Sequence, residues 1–193
     1  MASLCVFCGS SRGSDPAFAA AARAFGAAIA RSGRTLVYGG GDVGLMGILA
    51  SAALDAGGKV IGVIPRPLAE KEIAHPRLTE LRVVESMHER KAMMAELADA
   101  FVAMPGGIGT LEEFFEIWTW VQLGLIRKPL GLLNVAGYFD PLLAFLDRVT
   151  AQGFLHREHR DMLLVADAPE ALLSRVDGWR PPGFQKWIDR DQT

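Results

Sequence analysis

The chain alternates short apolar runs with amphipathic or alanine-rich segments, and this alternation constrains its fold more than any other feature. The runs are continuous rather than alternating in polarity, which is typical of strands buried on both faces of a parallel sheet. Helices must then connect successive strands and cover both faces. The runs that we predict to be strands are residues 4–7, 35–38, 60–64, 81–84, 100–103, 129–133 and 163–165.

This pattern predicts an α/β protein with a three-layer, Rossmann-like fold, in which a mainly parallel sheet of about seven strands has helices on both faces. The chain has 193 residues, half of them apolar, so we expect residues 1–193 to form a single domain. A loop with one helical turn is predicted at 68–79. The predicted helices run from Pro16 to about Arg31, after Gly44 to about Ala56, Met87 to about Ala98, Thr110 to about Leu123, Pro141 to Gln152, His156 to Asp161 and Pro169 to Val176.

Three glycine-rich turns each follow a predicted strand, at Gly9, at Gly39–Gly44 and at Gly106–Gly109. The carboxyl ends of parallel strands lie along one edge of a sheet, where open α/β folds bind their ligands. We therefore expect all three turns to meet at one ligand-binding edge.

The stretch from Pro105 to Glu113 carries the strongest signal for a ligand. Its glycines allow a close approach to the backbone, and the helix that follows offers unpaired N–H groups to a phosphate. Glu113 is then a carboxylate one turn inside that helix. The same residues also fit a capping box, with Thr110 as N-cap and Glu113 at N3, which needs no ligand. The capping box leaves the additional glycines unexplained, but the local pattern keeps both interpretations open.

Residues Gly39 to Gly44 match G-x-G-x-x-G, the dinucleotide fingerprint. That fingerprint requires an acidic residue at the end of the next strand, where this chain has Ile64-Pro65-Arg66. It also belongs after the first strand, whereas this copy follows the second. A phosphate contact or a structural turn is therefore favoured over a dinucleotide site.

Arg90 lies within an apolar helical stripe that contains Met87, Met94 and Leu97. A guanidinium in such a stripe needs an anionic partner or a route to water. The alternative is a side chain that snorkels to solvent at a helix start, although a cation there opposes the helix dipole. The local pattern does not decide between the two.

Composition and short motifs disfavour several partners and sites. The net charge of −2 gives no electrostatic case for nucleic acid, and no window of 18 uncharged apolar residues predicts a membrane span. The start of the chain lacks a basic signal-peptide region, so a cytoplasmic location is expected. Cys5 and Cys8 form a C-x-x-C pair, but strand spacing points them to opposite faces, which disfavours a metal or redox site. No metal or cofactor is expected.

Two longer motifs resemble the signatures of one family. Pro105 to Glu113 matches P-G-G-x-G-T-x-x-E without a departure, and Met87 to Lys91 matches M-H-x-R-K. With further matches between residue 4 and about residue 155, the chain resembles the Lonely Guy (LOG) phosphoribohydrolases. Those enzymes release cytokinin bases from their riboside 5′-monophosphates.

The resemblance implies roles for particular residues. Arg90 and Glu113 stand at the positions of the catalytic arginine and glutamate. The implied substrate-binding positions include both of these, together with Glu72, Lys91, Gly107, Ile108, Gly109, Thr110, Leu111, Glu112 and Thr119.

The resemblance also implies hydrolysis of the N-glycosidic bond of cytokinin riboside 5′-monophosphates and of AMP, giving free base and D-ribose 5-phosphate. It implies a homodimer with the site near the subunit interface. Relatives have been described as lysine decarboxylases, but the chain shows no pyridoxal-phosphate lysine motif. A non-catalytic nucleotide-binding protein on the same fold is the alternative, because fold alone does not establish activity. Arg90 and Glu113 discriminate between the two, since a binding protein needs no carboxylate beside the ribose.

Overall fold

The seven apolar runs form seven parallel strands in the computed structural model, which describes residues 1–71 and 73–181. The strand order is β4-β3-β2-β1-β5-β6-β7, and every neighbouring pair is parallel. The predicted α/β fold is therefore confirmed. In chain order the elements are β1 (Ser3–Phe7), α1 (Pro16–Arg31), β2 (Thr35–Tyr38), α2 (Gly44–Asp55), β3 (Val60–Pro65), α3 (Arg66–Ala69), β4 (Glu80–Val84), α4 (Met87–Leu97), β5 (Ala100–Ala103), α5 (Ile108–Gln122), β6 (Leu130–Leu133), a 3₁₀ turn (Val135–Gly137), α6 (Asp140–Ala151), α7 (Arg157–Asp161), β7 (Leu163–Ala166) and α8 (Pro169–Gly178).

Side chains alternate along the strands between two faces of the sheet and fill a separate core on each. Leu4 and Val6 of β1 pack with α1, α2 and α8, whereas Cys5 and Phe7 pack with α4, α5 and α6. The three predicted layers follow from this alternation. Cys5 and Cys8 lie in opposite cores, as their spacing predicted. Burial also raises the pKa of both thiols, which disfavours the thiolate form that metals bind.

β1 pairs with β5 as well as with β2, so the two halves of the chain wind outward from it in opposite directions. This reversal leaves a crevice beyond the carboxyl ends of β1 and β5, the place where open α/β sheets bind ligands. Gly9 follows β1 and Gly106 follows β5. The turn predicted to bind phosphate therefore lies at this crevice.

The predicted helix and strand boundaries agree with the structure to within two residues. Local signals explain the agreement: the Asp15 carboxylate accepts a hydrogen bond from Ala17 N at 2.8 Å, and Pro16 occupies the first position of α1. The helical turn before β4 begins at Arg66, just ahead of the predicted loop, because Pro67 is tolerated in a first helical turn. None of the described helices is long and apolar enough to cross a membrane.

Candidate active site

The turns after β1 and β5 pack directly against each other. Gly9 N donates a hydrogen bond to the Pro105 carbonyl at 3.1 Å. A Cβ atom on Gly106 would lie 2.8 Å from Gly9 N and 2.2 Å from Thr110 Oγ1, so this position requires glycine. By contrast, a Cβ on Gly107 or Gly109 would meet none of the described atoms within 4 Å. The first glycine of the turn joins two strand ends, and the next two face open space.

Helix α5 begins three residues before the position that a capping box at Thr110 requires. Its N-cap is Gly107, and Thr110 lies inside the first turn with 4% exposure. The capping-box interpretation is therefore wrong. Glu113 does not fold back onto the start of its own helix, because its carboxylate accepts a hydrogen bond from Arg90, a residue distant in the chain. Since none of the described side chains caps α5, its first N–H groups can bind an anion.

Arg90 projects from α4 toward α5 beneath the ends of β2 and β3. Its Nη1 donates to Glu113 Oε1 at 2.8 Å, and its Nε donates to the Val63 carbonyl at 3.1 Å. The exposed fractions of the Arg90 and Glu113 side chains are only 11% and 10%. Arg90 thus has the anionic partner that its apolar surroundings demand, and it does not snorkel to solvent.

The ionisation of Glu113 is set by two opposing effects. Burial raises the pKa of Glu113 above its ordinary value and outweighs the nearby positive charge of Arg90, which lowers it. The neighbouring Glu112 adds to the rise, and Lys91 opposes it. A buried carboxylate that has a raised pKa and a paired cation is typical of groups that work in acid–base or electrostatic catalysis.

Arg90 and Glu113 line a cavity of about 330 Å³ at the carboxyl edge of the sheet. The start of α5 forms one part of its wall, and the apolar side chains of Met46, Leu68, Ile73 and Met87 form another. The cavity therefore combines an anion-binding helix start, a buried carboxylate and an apolar surface. The residues predicted from the resemblance that line it are Arg90, Gly107, Ile108, Gly109, Thr110, Glu112 and Glu113.

Lys91 and Leu111 lie beside this cavity without lining it. The Lys91 amine contacts Glu112 Oε1 at 2.6 Å and Glu116 Oε2 at 2.8 Å, so it ties α4 to α5. Burial lowers the pKa of Lys91, but hydrogen bonds to the two carboxylates outweigh burial and raise it. Leu111 packs against the core on the α5 side of the sheet.

Thr119 lies away from the cavity, and Glu72 lies outside the described residues. The Thr119 hydroxyl donates to the Phe115 carbonyl at 2.8 Å, and the residue borders a separate hollow with Trp118. Thr119 follows Glu113 by six positions, and at about 100° per residue the two side chains point to different sides of α5. Within one chain, Thr119 is therefore not brought to Arg90 and Glu113.

The apolar wall of the cavity was missed by sequence reasoning. Only the position of Met46 could have been anticipated from the sequence, since it follows a glycine turn at the carboxyl edge of the sheet. Ile73 is brought in by backbone pairing, because Asp42 N donates to the Ile73 carbonyl at 2.7 Å and His75 N donates to the Gly40 carbonyl at 2.9 Å. This pairing joins residues more than thirty positions apart, so no local pattern could reveal it.

Solved structures share this fold at low sequence identity. A molybdenum cofactor binding protein from Rippkaea orientalis superposes with a TM-score of 0.70 and 22% identity, covering 92% of this chain and 96% of its own. The Moco carrier protein from Chlamydomonas reinhardtii gives the same values. At such identity the likeness shows the fold alone.

Sequence relatives are considerably closer. A family model described as "Possible lysine decarboxylase" matches residues 46–176. The cytokinin riboside 5′-monophosphate phosphoribohydrolase of Rhodococcoides fascians is 50% identical over 175 residues, which span 90% of this chain and 88% of the relative. The enzyme LOG of Oryza sativa subsp. japonica is 45% identical over 178 residues, spanning 92% and 74%. With this identity over most of its length, the chain belongs to the Lonely Guy (LOG) family.

Proposed function

We propose that this protein hydrolyses the N-glycosidic bond of cytokinin riboside 5′-monophosphates, and of AMP, to give the free base and D-ribose 5-phosphate. One observation carries the proposal: the buried Arg90–Glu113 pair shares a cavity with the uncapped start of α5. Relatives at 45–50% identity are named cytokinin riboside 5′-monophosphate phosphoribohydrolases, after the first of these two substrates.

The start of α5 is suited to hold the 5′-phosphate. The N–H groups of Ile108, Gly109 and Thr110 lie in its first turn, and the helix dipole adds positive charge there. Glu113 follows Ile108 by five residues, or about 7.5 Å along the axis at 1.5 Å per residue. That span is comparable to the length of ribose 5-phosphate, so a phosphate at the helix start places the ribose near the carboxylate.

Glu113 is then positioned to act on the ribose C1′ atom. Cleavage of the bond to the base develops oxocarbenium character at C1′, as in glycoside hydrolysis. The carboxylate can stabilise that charge, activate the attacking water or attack C1′ itself. Water supplies a hydroxyl to C1′ and a proton to the base. Arg90 fixes the carboxylate through its hydrogen bond, and it also lines the cavity.

The residues do not fit a pyridoxal-phosphate decarboxylase, despite the description of the family model. Such an enzyme needs a lysine whose amine can lose its proton and form a Schiff base. Lys91 is the only buried lysine among the described residues. Two carboxylates hold it as a cation and raise its pKa, so it is poorly suited to that role.

A non-catalytic nucleotide-binding protein is the competing function. To separate the two, the purified protein is incubated with isopentenyladenosine 5′-monophosphate, with AMP and with the matching nucleosides, and free base is measured by mass spectrometry. We expect release from the nucleotides and far less from the nucleosides, because binding energy at the phosphate supports the reaction at C1′. A folded sample that binds AMP but releases no base from either nucleotide would establish the binding protein instead.

We also propose that the protein is a homodimer through the outer side of α5 and α6. Phe145 of α6 is 61% exposed, and Phe154, which borders a hollow with Trp118, is 84% exposed. The buried Nε1 of Trp118 has no hydrogen-bond partner among the described residues. A second copy can cover this apolar area. Thr119 lies on the same side, so its implied substrate contact would be to the other copy. Sedimentation should give a dimer that Phe154→Asp converts to a monomer, and a wild-type monomer would refute it.

We further propose a cytoplasmic location and one domain spanning residues 1–193. Nucleoside monophosphates are charged and do not cross membranes unaided, so the protein would encounter the proposed substrate inside the cell. All of the described strands join one sheet, which supports a single domain. Fractionation of cells and limited proteolysis test these two proposals separately.

A further inference from the structure

Gly39, the residue that follows β2, lies against the guanidinium of Arg90. A Cβ atom at this position would be 2.1 Å from Arg90 Nη2 and 3.2 Å from Arg90 Cζ. Gly39 is not among the glycines with positive φ, so its backbone conformation is open to other residues. What requires glycine at position 39 is the space that Arg90 occupies.

Arg90 cannot easily move aside to admit a side chain. Its Nε is bonded to the Val63 carbonyl and its Nη1 to Glu113 Oε1. Because the guanidinium is planar and rigid, these two bonds also determine where Nη2 lies. Movement of Nη2 away from position 39 must therefore weaken one of them.

We propose that Gly39 is a positioning residue for the reaction: its missing side chain leaves the room in which Arg90 reaches Glu113. This inference deepens the proposed function and rests on it. It also assigns a purpose to the first glycine of the Gly39–Gly44 turn, which serves an arginine of the protein rather than a dinucleotide.

The first test compares Gly39→Ala with the control Gly131→Ala. Gly131 lies in β6 of the same sheet, and a Cβ there would meet the Leu172 side chain at 3.0 Å and the Leu164 carbonyl oxygen at 3.3 Å. It is therefore also crowded, but Arg90 is not among its neighbours. We expect Gly39→Ala to lower kcat on isopentenyladenosine 5′-monophosphate by about 100-fold, the usual cost of a misplacement near 1 Å. Gly131→Ala should retain kcat within about twofold.

The pH profile distinguishes positioning from simple loss of stability. Arg90 lowers the pKa of Glu113, so its displacement should move the acid limb of kcat/KM to higher pH. Both variants leave unchanged the other titratable groups that interact with Glu113, which are Glu112, Lys91, Cys5 and Cys8. A Gly39→Ala enzyme with the wild-type kcat and the wild-type acid limb would overturn the proposal.

A second test does not depend on activity. Gly39→Ala should lower the folding equilibrium constant by about tenfold in the wild-type background, as overpacking does. With Arg90→Ala the space is empty, and the same change should then cost less than about twofold, a coupling that a double-mutant cycle measures. If Arg90→Ala does not fold, Glu113→Gln added to all variants removes the unpaired buried carboxylate. Equal costs in both backgrounds would refute the contact, whereas a protein that releases no base but shows this coupling would refute only the proposed function.

Discussion

Two glycine-rich turns of this protein follow strands and open helices, yet their glycines have opposite surroundings. In the turn after β2, a Cβ on Gly39 would strike Arg90, and one on Gly44 would lie 2.2 Å from the Ser10 carbonyl carbon. In the turn after β5, Gly107 and Gly109 face space free of described atoms within 4 Å. Glycines of the first turn make room for the protein itself, whereas Gly107 and Gly109 of the second turn leave open space at the cavity.

The comparison shows why a glycine pattern is weak on its own. The turn after β2 matches the dinucleotide fingerprint, but Gly40 and Gly44 have φ values of +79° and +58° and serve its backbone conformation. The turn after β5 fits no dinucleotide pattern, but it opens a helix that no described side chain caps. The surroundings of the glycines, rather than their spacing, distinguish the tightly packed turn after β2 from the open turn after β5.

The largest expected effect comes from Glu113, the carboxylate that we propose to be catalytic, which lies beyond the turn after β5. Glu113→Gln should lower kcat by about 10³-fold, within the range for loss of an acid–base group. The amide oxygen can still accept from Arg90 Nη1, but the buried guanidinium loses its anionic partner, so the thermal midpoint should fall while the protein stays folded. Steady-state rates and a thermal melt check both. A variant that keeps more than a tenth of kcat would remove Glu113 from the chemistry.

Next in size is the loss of stability expected from a substitution in the turn after β2. Gly44→Ala should lower the free energy of unfolding by about 3 kcal/mol, since it adds backbone crowding to an unfavourable positive φ. Gly57→Ala is the matched control, because its φ is +77° but a Cβ there meets nothing described within 4 Å. It should cost about 1 kcal/mol. Urea unfolding measures both, and equal losses would show that crowding against Ser10 is unimportant.

A smaller effect, on substrate binding rather than on stability, is expected from a substitution in the turn after β5. Gly109→Ala should raise KM about tenfold, a cost of about 1.4 kcal/mol, by placing a methyl group where we propose that the phosphate binds. Stability should not fall, because alanine favours a helix more than glycine does. Gly178→Ala in α8, also open to space, is the control that should leave KM unchanged. An unchanged KM in Gly109→Ala would mean that this turn does not face the phosphate.

The smallest effect concerns pH. Because burial raises the pKa of Glu113, kcat/KM should fall with decreasing pH at a value above the ordinary glutamate pKa of about 4.3. Glu112→Gln removes a neighbouring negative charge and should move this limb to lower pH. The same raised pKa means that Glu113 favours folding below about pH 4.3 and loses that contribution as pH rises through its folded-state value. An acid limb that Glu112→Gln leaves in place would assign it to another group.

Local chemistry let the sequence alone determine the elements of the fold. Continuous apolar runs predict buried parallel strands, and cap residues such as Asp15 set helix ends through contacts only a few positions away. Because the carboxyl ends of parallel strands lie along one edge of a sheet, the sequence also predicted that the glycine turns lie close together. The resemblance, carried by two short motifs, supplied Arg90 and Glu113, which the structure joins at 2.8 Å.

Tertiary structure alone decided how those residues are used. Glu113 could cap its own helix or accept from Arg90, and the choice depends on a residue 23 positions away. The surroundings of Gly39 and Gly109, and the entry of Ile73 into the cavity, likewise depend on segments that are distant in the chain. Sequence patterns report what each residue can do with its neighbours along the chain. Packing between distant segments determines which of those possibilities is realised.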